Sequence, residues 1–209
     1  MKDFFTRLRD VVLAALILLI MSPVMLAIAA LIYISNGDSV FFSQKRIGRG
    51  GKVFQMHKFR SMKSGTKVIR DDLPLATDPR VTKIGFWLRR TNLDELPQLW
   101  NVLKGEMSFV GPRPEIADPL RLGRFLPKDL EIRMKYRPGI TGIWQAKYKG
   151  LIPMYDSRIV ILEKRYYEKA NPFWHDLVVM AMTVIKLAEL FNMERGKKHP
   201  LPKFTIRPA

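Results

Sequence analysis

Between Val11 and Ile34 the chain carries no charged residue, and nearly every position is aliphatic. That run exceeds the roughly 20 residues a helix needs to cross a bilayer core, so it limits the possible folds more than any other feature. Ser22-Pro23 stands at its middle. A proline there removes one backbone hydrogen bond and crowds the preceding turn, a defect that membrane helices tolerate. Three readings compete. Ala27-Ile28-Ala29 offers the small-x-small pattern of a cleaved signal peptide. A straight span is the second. The flanks favour a third: Arg7 and Arg9 precede the run, and Lys45, Arg46, Arg49 and Lys52 follow it. Basic flanks prefer the cytoplasm, and one straight span cannot put both there. A helix broken at Ser22-Pro23, dipping into one leaflet and returning, can. Residues 1–35 are therefore expected to form a re-entrant membrane helix.

The remainder is strongly cationic. The 36 Lys and Arg against 19 Asp and Glu give +17, and only one unit of it lies before residue 35. The partner should be anionic: nucleic acid, anionic lipid or a phosphorylated substrate. With no cysteine, the chain has no disulfide, thiolate metal site or Cys nucleophile. Its three histidines, His57, His175 and His199, form no ligand pair, so a zinc enzyme is not expected.

Asn36-Gly37-Asp38 signals a turn, and Val40–Ile47 is a β-prone run. Gly48–Lys52 turns the chain, and Val53–Phe59 can return as a second strand, predicting a β-hairpin. The glycines do not make a nucleotide loop. A P-loop would need Gly where Arg46 stands and Ser or Thr where Val53 stands, and the dinucleotide pattern also breaks at Val53. Residues 63–80 read as a polar loop and Val81–Arg90 as an amphipathic stretch suited to a membrane surface. Leu177–Phe191 contains Lys186 and Glu189, which predicts an interfacial or packed amphipathic helix rather than a span. The expected architecture is α-rich with a small β-hairpin (α+β), a re-entrant N-terminal membrane helix and amphipathic interfacial helices. Residues 36–192 would form the catalytic domain and 193–209 an extended tail.

Chemistry-bearing residues concentrate between Arg89 and Pro114. Asp94 and Glu95 are adjacent carboxylates bracketed by Arg89, Arg90 and Lys104. Thr91 or Asn92 followed by an acid also resembles a capping box, so the carboxylates could serve only to start a helix. The alternative is a place where Mg²⁺ and phosphates meet. Arg113 lies between Pro112 and Pro114, which restrict the backbone on both sides. A rigidly held Arg suits bidentate phosphate binding.

Lys58-Phe59-Arg60-Ser61-Met62, Leu93–Leu99, Val110–Pro114 and Arg137–Gly142 occur in that order, with Ser22-Pro23 in the apolar run. Together they resemble the bacterial sugar transferase family, the monotopic phosphoglycosyl transferases, over roughly residues 5 to 185. The resemblance implies an enzyme transferring phosphorus-containing groups. It would move a sugar 1-phosphate from a UDP-sugar to undecaprenyl phosphate, with Mg²⁺ and a covalent phosphosugar–Asp intermediate. The reaction would begin glycoconjugate assembly at the cytoplasmic face of the bacterial inner membrane. By motif position Asp94 would be nucleophile and metal contact, Glu95 would assist, and Arg113 would hold phosphate. Lys58, Arg60 and Arg89 would be further cationic contacts. Anionic lipid is an expected partner, nucleic acid is not, and a second copy of the chain is a further candidate. The chain departs from the family at Ala146-Lys147-Tyr148-Lys149 and at Glu163–Tyr167, which bears on sugar and base specificity. The rival functions are a membrane-anchored nucleic-acid binder and an inactive scaffold of a glycan-assembly complex. No recognition helix or RNP-type motif supports the first, and the intact Asp94-Glu95 pair argues against the second.

Overall fold

The computed structural model describes residues 2–36, 39–66, 78–148, 155–168 and 172–193. The apolar run lies within one helix, α1, Lys2–Asn36, which continues through Ser22-Pro23. Pro23 thus sits inside an element and not in a gap between two. The carbonyl that its missing amide would have served belongs to Leu19. The Ser22 hydroxyl donates to that carbonyl instead, at 2.8 Å.

α1 packs on the rest of the molecule at two places. Ala14 is fully buried in a core cluster with Val102, Met107 and Val179, and Leu13, Ile17 and Leu18 lie against it. Farther along, Ile28 and Ile32 are buried with Phe59 and Leu88 in a second cluster. Between these contacts Leu19 and Ile20 are 72% and 71% exposed. Polar ties reinforce the first contact. Arg7 Nη2 donates to the Leu103 carbonyl at 2.6 Å, and Arg9 bridges Asp10 and Asp176 at 2.7 and 2.8 Å.

The expected hairpin is present. β1, Phe41–Ile47, pairs antiparallel with β2, Val53–Phe59, in a register running from Phe41↔Phe59 to Ile47↔Val53. Gly50 and Gly51 adopt φ of 67° and 75° in the turn, a region costly for residues with a Cβ. β2 lays Phe54, Met56 and Phe59 into the core.

The amphipathic stretch becomes α2, Lys83–Thr91, started by Thr82, whose side chain accepts from Gly85 N. α3, Gln98–Lys104, follows a 3₁₀ turn at Leu93–Glu95. β3, Ser108–Val110, and β4, Gly139–Thr141, form a short parallel pair that the sequence did not announce. Their close approach requires glycine, since a Cβ on Gly139 would lie 2.1 Å from Gly111 N. α4, Pro119–Leu122, and α5, Pro127–Met134, lie between them in sequence. A π turn at Trp144–Tyr148 precedes α6, Ser157–Tyr167, and α7, Pro172–Met193.

α7 contains the predicted Leu177–Phe191 stretch but starts earlier. Val179 is buried, whereas Trp174, Val178, Val184 and Ile185 are exposed. Gly37 and Asp38 of the first turn, most of the polar loop and the tail expected at 193–209 lie outside the described residues, apart from Met193 at the end of α7.

Candidate active site

Asp94 and Glu95 sit on the 3₁₀ turn joining α2 to α3. Asn92 ends α2 in the left-handed region, with φ 54° and ψ 18°, a conformation asparagine tolerates better than most residues. The turn redirects the chain so that Asp94 faces inward, 6% exposed. The capping alternative does not hold. Neither Asn92 before the turn nor Pro97 before α3 makes a side-chain cap bond, and the Thr91 hydroxyl bonds back to Trp87 within α2.

Cations from three other places converge here. Lys58, on β2, ion-pairs with Glu95, Nζ to Oε1, at 2.6 Å. Arg113, after β3, brings Nη1 to 3.9 Å from the same oxygen. Arg89, in the last turn of α2, donates through Nε to Ser61 Oγ at 3.0 Å. Burial pushes the Asp94 carboxyl up to about 6; Lys58 and Arg89 oppose the rise, and the charge of Glu95 adds to it. A carboxylate so placed is poorly solvated, which favours its use as a nucleophile or a metal ligand.

Arg60 departs from expectation. Its guanidinium turns to the start of β1, donating to the Ser39 carbonyl at 2.8 Å and to Ser64 Oγ at 3.0 Å, and also to Ser39 Oγ. Side chains alternate along a strand, so Lys58 and Arg60 share a parity. The hairpin ends at Phe59, however, and Arg60 serves the chain entry instead. The structure therefore unites Asp94, Glu95, Lys58, Arg89 and Arg113, without Arg60.

Among the described residues no three His, Asp or Glu side chains gather as a metal cage. The hard oxygen donors at the site are Asp94 and Glu95, and Glu95 already holds Lys58. One or two carboxylates, completed by water and substrate phosphates, is the donor set that Mg²⁺ accepts, so the residues present fit that ion, and Asp94 is the side chain that would hold it.

Residues not anticipated as functional lie beneath Arg113. Arg133, on α5, donates through Nη2 to the Arg113 carbonyl at 2.9 Å and through Nη1 to Glu163 on α6. Arg46 Nη1 donates to the Pro114 carbonyl at 2.9 Å. The one local hint was Glu163 itself, standing in a segment that departs from the family pattern.

The family described as bacterial sugar transferase matches residues 1–189. The UDP-glucose:undecaprenyl-phosphate glucose-1-phosphate transferase of Escherichia coli (strain K12) is 43% identical over 187 residues, covering 86% of this chain and 39% of the relative. The undecaprenyl-phosphate galactose phosphotransferase of Salmonella typhimurium (strain LT2) is 36% identical over 195 residues, 86% of this chain and 40% of the relative. The exopolysaccharide production protein ExoY of Rhizobium meliloti (strain 1021) is 38% identical over 190 residues, covering 84% and 81%. The chain thus spans about 40% of the length of the first two relatives and most of the third.

Proposed function

This chain belongs to the bacterial sugar transferase family, and from that premise we propose that it moves a sugar 1-phosphate from a UDP-sugar to undecaprenyl phosphate, releasing UMP. The observation that carries the reading is the buried Asp94, beside Glu95 and within the field of Lys58 and Arg89. An Asp94 oxygen attacks the sugar-bearing phosphorus, and the bond from that phosphorus to the bridging oxygen breaks. UMP leaves with the electron pair, and a phosphosugar–aspartyl ester remains. A phosphate oxygen of undecaprenyl phosphate then attacks the same phosphorus and expels the Asp94 carboxylate. Glu95 orients the acceptor phosphate.

A carboxylate approaching a diphosphate meets repulsion, which fixed cations must offset. Arg113 holds the phosphate with its planar fork, and Lys58 and Arg89 supply further positive charge. Mg²⁺, held at Asp94, would contribute additional charge neutralisation on the diphosphate. The expected product starts a membrane glycoconjugate.

The same reading puts the reaction at the cytoplasmic face of the inner membrane, with α1 re-entrant. Two contacts support this. α1 meets the folded body on both sides of Pro23, through Leu18 and its neighbours and through Met25 and its neighbours. From Leu18 to Met25 a helix rises about 10 Å, far less than the roughly 30 Å of a bilayer core. The stretch free between the two contacts is too short for a straight crossing, which favours the re-entrant reading. The exposed Leu16, Leu19, Ile20 and Leu26 then face acyl chains.

Release of UMP, measured across a panel of UDP-sugars with and without undecaprenyl phosphate, tests the proposal. Turnover that needs both substrates and vanishes in Asp94→Asn supports it. No release from any UDP-sugar, together with tight salt-dependent binding of DNA, would instead favour the nucleic-acid rival.

A further inference from the structure

The segment that presents Arg113 contains two prolines, so it has few amides with which to anchor itself. Its carbonyls do the anchoring. Pro112 O accepts from Gly139 N at 3.0 Å and Glu115 O from Ile47 N at 2.9 Å. Between them, Arg113 O accepts from Arg133 and Pro114 O from Arg46, both at 2.9 Å. Four consecutive carbonyls are thus held by four different partners, and the two central ones are held by guanidinium groups.

Those guanidiniums are buried, with Arg133 5% and Arg46 9% exposed. A buried cation is costly without a compensating group. Arg133 has one in Glu163, whose side chain is 2% exposed. Holding two arginines inside the protein to bond two carbonyls is an expensive way to shape a loop. Its product is a fixed backbone under one partly exposed side chain, that of Arg113.

We infer that Arg133 and Arg46 are positioning residues for phosphate binding, aiming the Arg113 side chain at the reacting diphosphate, with Glu163 keeping Arg133 in place. The inference rests on the reading of Arg113 as the phosphate clamp. Arg133 uses its fork to span two acceptors at once, one on Glu163 and one on the Arg113 backbone. Lysine retains the charge but has no planar fork to span both.

A double-mutant cycle on the full-length protein, read as kcat/KM for UMP release, tests it. Arg133→Lys should lower kcat/KM about tenfold or more. Combined with Arg113→Lys it should cost no more than about twofold beyond Arg113→Lys alone, because a residue acting through another shows no separate effect once that residue is changed. A merely structural Arg133 would give losses that multiply, and that result overturns the inference. So does an Arg133→Lys enzyme within about twofold of the parent while Arg113→Lys is impaired. Unchanged kinetics for Arg113→Lys would instead overturn the phosphate reading of Arg113, and the inference with it. Should Arg133→Lys fail to fold, the neutral pair Arg133→Gln/Glu163→Gln removes both buried charges together, and the same cycle with Arg113→Lys decides between the same outcomes.

Discussion

Lys58 holds Glu95 at 2.6 Å and, from the same position, opposes the burial-driven rise of the Asp94 carboxyl. The two neighbouring carboxylates are therefore treated differently. Glu95 is neutralised by contact, while Asp94 is buried and its charge is supported by Lys58 and Arg89 at a distance and by a backbone hydrogen bond. One lysine acts on both.

Lys58→Met should accordingly lose more than an ion pair. Glu95 loses its close cation and keeps the longer approach of Arg113, and the Asp94 carboxyl rises further. We expect kcat/KM to fall about 100-fold or more, with a stability loss on the order of 1–3 kcal/mol from the loss of the close cation beside the largely buried Glu95. Lys58→Arg should recover part of the activity. Steady-state UMP release and thermal melting measure the two effects, and near-parental turnover by Lys58→Met would refute the role.

Asp94→Asn should abolish turnover and leave a folded protein that is at least as stable as the parent. Burial raises the carboxyl from 3.8 to about 6 in the folded state, so the fold favours the protonated form. The associated stability is complete below the unfolded value and is lost as pH rises through about 6. Asparagine never ionises. The variant's melting temperature should therefore match the parent's at about pH 4 and exceed it above about pH 7. A capping role predicts the reverse, retained chemistry and a loss of about 0.5–2 kcal/mol.

Gly85→Ala tests how closely α2 sits on the strand exit. A Cβ there would stand 1.9 Å from the Ser61 carbonyl oxygen, so helix or strand must shift. Arg89, bonded to Ser61 Oγ from the same helix, would move with it. A loss of about 1–3 kcal/mol or more in denaturant unfolding is expected, with impaired UMP release. Parental values for both would show that the contact relaxes freely.

The absence of native cysteine makes topology accessible. Single substitutions Asp3→Cys and Ser39→Cys place one thiol before and one after the apolar run. Asp3 meets Arg49 and Arg137 in exposed pairs at 3.0 and 2.9 Å, whose loss should cost little. Both thiols should resist an impermeant reagent in intact cells and react once the inner membrane is permeabilised. Labelling of one of them from outside would mean a span.

Much of this was legible in the sequence because the signals are local. The hairpin follows from two β-prone runs around a glycine cluster, and α1 from its uncharged length. Ser22-Pro23 stood out as a defect at the middle of the apolar run. Asp94, Glu95 and Arg113 stood out by their neighbours. What stayed hidden depends on distant pairings. Arg133 and Glu163 meet across two helices, thirty positions apart; the segment of Glu163 stood out only as a departure from the family pattern, and nothing local marks Arg133 as its partner. β3 and β4 are three residues each, too short for alternation to be read. Arg60 looked like a companion of Lys58 because they share a motif, but the end of the strand intervenes and sends it to Ser39.

The tie from Arg7 to the carbonyl end of α3 changes what the N-terminal helix is. It is not a leash. Ala14, Ile28 and Ile32 are interior residues of the enzyme body, and α3 begins three positions after Glu95. A chain shortened to start beyond Asn36 would not be a freed, water-soluble catalyst. It would be a body with one wall missing, with Val102, Phe59 and Leu88 laid open and the carboxylate turn deprived of its footing. α1 and the carboxylate turn are therefore one packed unit, joined through the bond from Arg7 to α3 and through Ile28 and Ile32 beside Leu88, so whatever shifts the helix is felt at Asp94.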